Sequence, residues 1–391
     1  VRTRRRAALV AGTLLVAAAT TAAVAAPSAL PAPKPRPAAA SGAPVPNAAT
    51  FDPRPTALPK NTPAPSFSGP TLSPLPGTAD GLGPDPVYAA YQRGLYVAAF
   101  ALAAERAGDG DPAAMTMLGT LYETGLGVKR NLPKAAEWYA RAADRGDREA
   151  AAALGQMYVA GRGVARDPAR AFALFAAAAE KDQPVALYDA AAMLLDGTVT
   201  APDRRRAARY LARSAELGNV DAQYAYATLL SDPDDPARDP ALAARWMREA
   251  AMAGFEAAEV EWGLMLANGR GVEKNLASAF VWLHRSALRG NAIGRNRLAR
   301  MYAVGLGVEP DPVEALKWHL LARRQGLSDV WLETRLAGLT ADERRRAERA
   351  AAAIEGGSFG APRPAGIDFG SDADAPAPAS DEPPVPTAPS K

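Results

Sequence analysis

The residues of this chain return to the same chemical types every thirty-six positions, six times in succession. Counted from Gly110, unit boundaries fall at 110, 146, 182, 218, 254 and 290 with no net insertion or deletion, and a further unit would begin at 326. A period of this length belongs to a stacked supersecondary unit, which cannot bury its apolar face alone and must be covered by the next copy. Nine residues into the units stand Gly119, Gly155, Ala191, Ala227, Gly263 and Ala299; twenty-five residues in stand Ala135, Ala171, Ala207, Ala243, Ala279 and Ala315. Small side chains held in phase on two successive segments are what close helix crossing requires.

The bulky positions keep the same phase. Trp138, Leu174, Tyr210, Trp246, Trp282 and Trp318 recur in the second segment, and Tyr122, Tyr158, Leu194, Leu230, Leu266 and Tyr302 recur near the end of the first. With neighbours three and four residues away they give each segment the apolar stripe of a helix. Asn131, Asp167, Asp203, Asp239, Asn275 and Asp311 share one phase and predict an N-cap for every second helix. Proline in "RDPARA" and "PDPVEA" fits the first helical position. Four units place glycine pairs between the helices: Gly125 and Gly127, Gly161 and Gly163, Gly269 and Gly271, Gly305 and Gly307. The first of each pair is expected to end a helix in the left-handed conformation. The second is expected to permit a close turn before Val128, Val164, Val272 or Val308 folds back onto the pair. The third unit, "LLDGTVTAPDRRRAARY", loses the second glycine and the fourth, "LLSDPDDPARDPALAARW", loses both. Turns of different shape are therefore expected mid-array, where curvature changes or a partner is gripped.

These patterns predict an all-α protein, a right-handed α–α superhelix of about six 36-residue helical hairpins with terminal capping helices and one continuous core. The expected units are 110–145, 146–181, 182–217, 218–253, 254–289 and 290–325 within a solenoid spanning 84–355. "PVYAAYQRGLYVAAFALAAERAG" predicts two short helices meeting near Gly94. After the last unit a short helix is expected from about Ser328, and a polar one from about Thr340 to Glu355 whose charge suits a water-facing cap.

The ends have a different composition. Residues 1–26 combine Arg2, Arg4, Arg5 and Arg6 with an uncharged run and small residues at Ala23 and Ala25, the layout of a signal peptide, or of a weakly apolar anchor if uncleaved. Residues 27–83 and 356–391 are crowded with Pro, Ala, Gly and Ser, too poor in apolar surface to offset the entropy of ordering, and are expected as a disordered linker and a disordered, mildly acidic tail. Export changes the charge: the whole chain carries +3, but without the four leading arginines it carries about −1. That balance and the compartment argue against nucleic acid as a partner. The chain has no cysteine, so packing alone must hold the exported fold.

At the level of residues, "DPAAMTMLGTLYETGLGVKRNLPKAAEWYARAADRGD", "AAAALGQMYVAGRGVARDPARAFALFAAAAEKD", "EVEWGLMLANGRGVEKNLASAFVWLHRSALRGN" and "GRNRLARMYAVGLGVEPDPVEALKWHLLARRQG" resemble the Sel1-like repeat family, relatives of the tetratricopeptide repeat. The resemblance covers roughly residues 84–355 and implies an adaptor module that presents a curved surface to proteins or peptides. Cysteine-rich exported members carry disulfides within each repeat, and that stapling is absent here.

Little in the sequence suggests a reaction. His284 and His319 are the two histidines, both beside recurrent tryptophans, and are read as packed or surface residues, with no metal and no cofactor expected. Ser214 and Ser286 share a phase with Ala142, Ala178, Ala250 and Ala322 and read as small packing residues. The glycine pairs follow helices instead of strands, unlike dinucleotide loops. Glu256, Glu259 and Glu261 cluster on one helix and read as a solvated face, and Arg204, Arg205 and Arg206 as solvation or salt-bridge positions.

The expected function is that of an exported, non-catalytic adaptor binding a protein or peptide through its first helices, in the periplasm or secreted. Membrane contact is expected only if the N-terminal segment stays uncleaved. Tyr188 and Tyr224, in one phase on consecutive first helices beside the unusual turns, are the candidate partner anchors; Tyr226 and Trp262 are expected to be core. Two alternatives stay open: an envelope or cell-wall hydrolase using converging carboxylates, and a regulatory subunit acting through its tails.

Overall fold

The computed structural model describes residues 85–197 and 199–355. The signal segment, the linker and the acidic tail expected from the sequence lie outside the described residues. Two helices, α1 (Pro86–Gln92) and α2 (Tyr96–Gly108), precede six hairpins. These are α3 (Pro112–Thr124) with α4 (Leu132–Asp144), α5 (Arg148–Ala160) with α6 (Pro168–Ala179), and α7 (Pro184–Asp196) with α8 (Arg204–Glu216). They continue as α9 (Val220–Leu230) with α10 (Pro240–Met252), α11 (Glu256–Asn268) with α12 (Leu276–Leu288), and α13 (Ala292–Val304) with α14 (Pro312–Arg324). The cap is α15 (Val330–Arg335) and α16 (Ala341–Glu355). Each helix from α1 to α13 packs on its successor, α16 closes over α14, and α15 touches α13. The result is an all-α solenoid of paired helices with capping helices at both ends.

Each hairpin is closed by one repeated set of bonds. All six expected N-cap residues accept from backbone amides of the second helix's first turn. The amide of each cap residue in turn donates to the carbonyl nine residues earlier on the first helix, from Asn131 to Tyr122 at 2.8 Å and from Asp239 to Leu230 at 3.1 Å. Asp203 bonds Leu194 in the same way at 3.0 Å. The third and fourth units therefore keep the register although their turns lack the glycine pair.

The pairing of hole and knob is shifted by one residue from the recurrent tryptophans. The alanines at Ala135, Ala171, Ala207, Ala243, Ala279 and Ala315 are 0% exposed. Facing Gly119 and Gly155 are Tyr139 and Phe175, whose ring carbons would lie 2.5 Å from a Cβ built on either glycine. Trp138, one residue earlier and about 100° around the helix, stays on the flank, with the Arg141 guanidinium over its ring.

The second glycine of each pair does more than complete a turn. A Cβ on Gly271 would lie 1.8 Å from the Pro240 carbonyl oxygen, and one on Gly307 would lie 2.2 Å from that of Leu276. These glycines seat one unit's loop on the first turn of the preceding unit's second helix. Where the fourth unit has Asp235 at this phase, the contact is made by charge: Arg204, opening α8, pairs with Asp235 and, at 2.9 Å, with Asp232. The Arg204 position is thus a joint between units, in keeping with the salt-bridge role expected of that basic run.

One expectation fails. The apolar interior is not continuous but forms three clusters, one from Val87 to Met157, one from Ala151 to Ala190 and one from Ala191 to Ala351. Half-buried Tyr158 and Leu174 bridge the first two, and Phe172 and Tyr210 the second and third. The division falls where the second unit contributes alanines, and where Leu174 replaces the tryptophan or tyrosine of the other units. A hollow of about 340 Å³ opens there, lined by Leu154, Tyr158, Arg170 and Leu174 among others.

Candidate functional site

The first helices turn an open stripe away from their hairpin partners, and its width changes along the array. On α7, Val185, Tyr188, Asp189, Ala192 and Asp196 stay half-buried or exposed, the spacing of one helical face. Asp221, Tyr224 and Thr228 continue it on α9, and Ala257, Glu261 and Asn268 on α11. At both ends the stripe is closed. Thr116, Met117 and Thr120 are buried on α3. On α13, Asn296 and Arg300 reach Asp329 at the start of the cap, at 2.8 Å and 2.7 Å. The accessible part of the first-helix face therefore lies mid-array, beside the units with unusual turns.

Tyr188 and Tyr224 both lie on this open part, half-buried with their rings against the core. Tyr224 is backed by Phe255, ring centroids 4.8 Å apart. Burial raises both phenols above their usual range, aided by the charges of Asp221 and Asp189 at Tyr188 and of Glu261 at Tyr224, so both are neutral hydroxyls at the edge of an apolar surface. Trp262 is buried as expected, and Tyr226 is half-buried, its ring 6.4 Å from Trp246.

The acidic residues of this face do not stand out in the sequence. Beside Tyr188, Asp189 accepts from Gln156 Nε2 at 3.2 Å. Burial pushes its carboxyl up to about 7; the Gln156 bond works against this and the charge of Asp221 adds to it. Burial also raises Asp221. Among the described residues, neither carboxylate meets a lysine or arginine within 4.0 Å. The available signal was compositional: α7, α9 and α11 contain Asp189, Asp196, Asp221, Glu256, Glu259 and Glu261 but no lysine or arginine.

The glutamate cluster on α11 does not form one solvated face. Glu256 is exposed and Glu261 pairs with Arg270 at 3.3 Å, but Glu259 is fully buried, with Arg285 of α12 and Arg289, which caps the end of that helix, each 3.0 Å from one of its oxygens. Arg285 and Arg289, one turn apart, reach back across the joint between α11 and α12 to neutralise it. Ser214 and Ser286 are buried as small residues; the Ser214 hydroxyl donates to the Pro184 carbonyl at 2.7 Å.

His284 is half-buried between Phe280 and Trp318, while His319 occupies the knob position of the sixth hairpin at 2% exposure. Its Nε2 is 3.8 Å from a Glu333 oxygen. Burial lowers the His319 pKa below the usual 6.5, overriding the nearby Asp329 and Glu333 charges, so the folded chain holds it neutral. A neutral buried histidine stabilises the fold fully above the unfolded pKa, and this contribution is lost as pH falls from about 6.5 toward the lower folded value. Within that window a tenfold rise in proton activity costs about 1.4 kcal/mol. Urea midpoints should therefore fall between about pH 7.5 and 5.5, and His319→Leu, which copies the leucine of Leu211 and Leu283, should lessen that fall. An equal fall in both proteins would remove His319 as the cause.

Among the described residues there is no group of three or more His, Cys, Asp or Glu placed to hold a metal ion. No described helix is long and apolar enough to cross a membrane.

A family model described as Sel1 repeat matches residues 112–147, 148–183, 184–219, 220–255, 257–291 and 292–327. Among solved structures the chain is similar to the Sel1 repeat protein from Oxalobacter formigenes, at 26% identity and TM-score 0.53, covering 60% of this chain and 94% of that one. It is also similar to c5321, a protective antigen present in uropathogenic Escherichia coli strains displaying an SLR fold, at 27% identity and TM-score 0.46. That match covers 66% of this chain and spans 64% of the length of c5321. No curated protein matches the chain.

Proposed function

From the premise that the chain belongs to the Sel1 repeat family, we propose that it is an exported, non-catalytic adaptor whose mid-array first helices hold an extended segment of a partner protein. The observation that carries this reading is the pair Tyr188 and Tyr224, in one repeat phase on consecutive first helices, at the widest part of the open stripe. Tyrosine gives a large, stiff contact area with a polar tip, which suits an anchor at a surface that must also stay wetted when empty. A groove already formed by packed helices lowers the ordering cost of binding. Export is supported by the basic and uncharged N-terminal segment, which places the adaptor in the periplasm or outside the cell, or at the inner membrane if that segment is retained.

Cross-linked capture from an envelope fraction, with the full chain as bait, tests the reading. One or more proteins recovered by the wild-type chain should be lost, by about tenfold, with Tyr188→Ala/Tyr224→Ala, while the helical circular dichroism of the variant is unchanged. Equal recovery by both chains would remove the tyrosines as anchors. Turnover of envelope glycan by the wild-type chain, abolished by replacing a carboxylate pair, would overturn the adaptor assignment.

A further inference from the structure

We propose that the basic, proline-rich segment at residues 33–37 of this same chain docks across α7 and α9. Its prolines would lie on Tyr188 and Tyr224, and Lys34 and Arg36 beside Asp189 and Asp221. The inference rests on the reading that this face takes an extended peptide, and it adds which peptide occupies the face first.

Charge selects the segment. Between residues 27 and 51 the chain carries Lys34 and Arg36 and no acidic residue. The C-terminal tail instead carries Asp368, Asp372, Asp374, Asp381 and Glu382 against Arg363 and Lys391. Asp221, and Asp189 once a basic neighbour holds its buried carboxyl ionised, meet no basic side chain among the described residues, so they attract the first segment and repel the second. Chemistry selects it again. In "PAPKPRPA" prolines alternate with the charged residues, and proline-rich sequence favours the polyproline II form, which aromatic-lined grooves recognise at low ordering cost. In that form Lys34 and Arg36 stand about 6 Å apart along the segment. α7 and α9 both pack on α8, at the roughly 8–10 Å usual for packed helices, and the long side chains of Lys34 and Arg36 would have to reach outward to span the wider gap between the two first helices.

The connection is long enough. Residues 38–84 separate the segment from Asp85 and can extend to about 160 Å. The helices from α2 to α6 occupy at most roughly 50 Å at 8–10 Å per packed layer. A segment tethered in this way acts at an effective concentration of about a millimolar, enough to occupy a face of modest intrinsic affinity.

The chain's own segment is then a competitor for any added cationic peptide. The probe is a fluorescein-labelled peptide of residues 29–40, titrated by anisotropy against the full chain and against its Lys34→Glu/Arg36→Glu variant. The variant should bind the probe about tenfold more tightly, because its tethered competitor is disabled. Asp189→Asn/Asp221→Asn introduced into that variant should return the affinity to the wild-type level or below. Equal affinity of the wild-type and Lys34→Glu/Arg36→Glu chains overturns the inference and leaves the peptide-binding reading standing. Tight binding that ignores Asp189 and Asp221 places the probe elsewhere and also overturns it. No binding to either chain, with the tyrosine-dependent capture above also absent, removes the underlying reading and the inference with it.

Discussion

Gly271→Ala should lower the unfolding free energy by about 3 kcal/mol, two to three times the loss caused by Gly269→Ala two residues earlier. The two glycines have nearly the same backbone, φ +68° at Gly269 and +70° at Gly271. An alanine at either incurs the same left-handed strain, about 1 kcal/mol. Their surroundings differ. At Gly269 a new Cβ would lie 3.4 Å from the Lys274 Cβ, an ordinary van der Waals contact. At Gly271 it would lie 1.8 Å from the Pro240 carbonyl oxygen, so the first turn of α10 and the loop before α12 must part. The difference between the variants therefore measures the joint between two units. Urea denaturation with comparison of midpoint and slope is the measurement. Equal losses would mean that the second glycine serves its own turn alone.

The second large effect is at the knob of the first hairpin. Tyr139 is 0% exposed, and its hydroxyl donates to Glu123 Oε2 at 3.0 Å and lies 3.2 Å from Thr120 Oγ1. Tyr139→Ala should cost about 3–5 kcal/mol, through lost transfer energy and the cavity left beside Gly119. Gly119→Ala, which drives a Cβ into that ring at 2.5 Å, should cost about 1–3 kcal/mol. Yet Gly119→Ala combined with Tyr139→Leu rebuilds the Ala191 and Leu211 pairing of the third hairpin, where both residues are buried. The double variant should be more stable than the sum of the separately measured Gly119→Ala and Tyr139→Leu losses predicts, by at least about 1 kcal/mol. Strict additivity would reject the interlocking of these two positions.

The repeat was legible because its constraints are local and recur. A cap residue, a helix-ending glycine and a small residue at a crossing each depend on a few neighbours, and six copies expose the phase. Residues such as Asn131 and Ala135 could be placed from the sequence for that reason. The knob itself could not. Trp138 is larger than Tyr139 and recurs more regularly, yet which of two adjacent residues enters the interface depends on the rotation of the helix, fixed by contacts with its neighbours. Glu259 was hidden for a similar reason. Its partner arginines lie on the following helix and at that helix's C-cap, and only folding brings them together. The candidate face was half legible: the phase of Tyr188 and Tyr224 could be read directly, whereas the openness that distinguishes them from Thr116 and Asn296 in the same phase arises from how the ends of the array close over it.

The clasp made by Arg204 has a consequence for conditions outside the protein. Joints built on glycine against backbone are indifferent to dissolved ions, but the attraction of an exposed guanidinium for Asp232 and Asp235 weakens as salt is added and the Debye length falls from about 10 Å at 0.1 M to about 3 Å at 1 M. Rising ionic strength thus slackens one articulation of the rod and leaves those at Gly271 and Gly307 unchanged. Because that articulation joins the unit bearing Tyr188 to the unit bearing Tyr224, it is at the spacing of the two anchors, and not in the fold of either unit, that concentrated salt is expected to act.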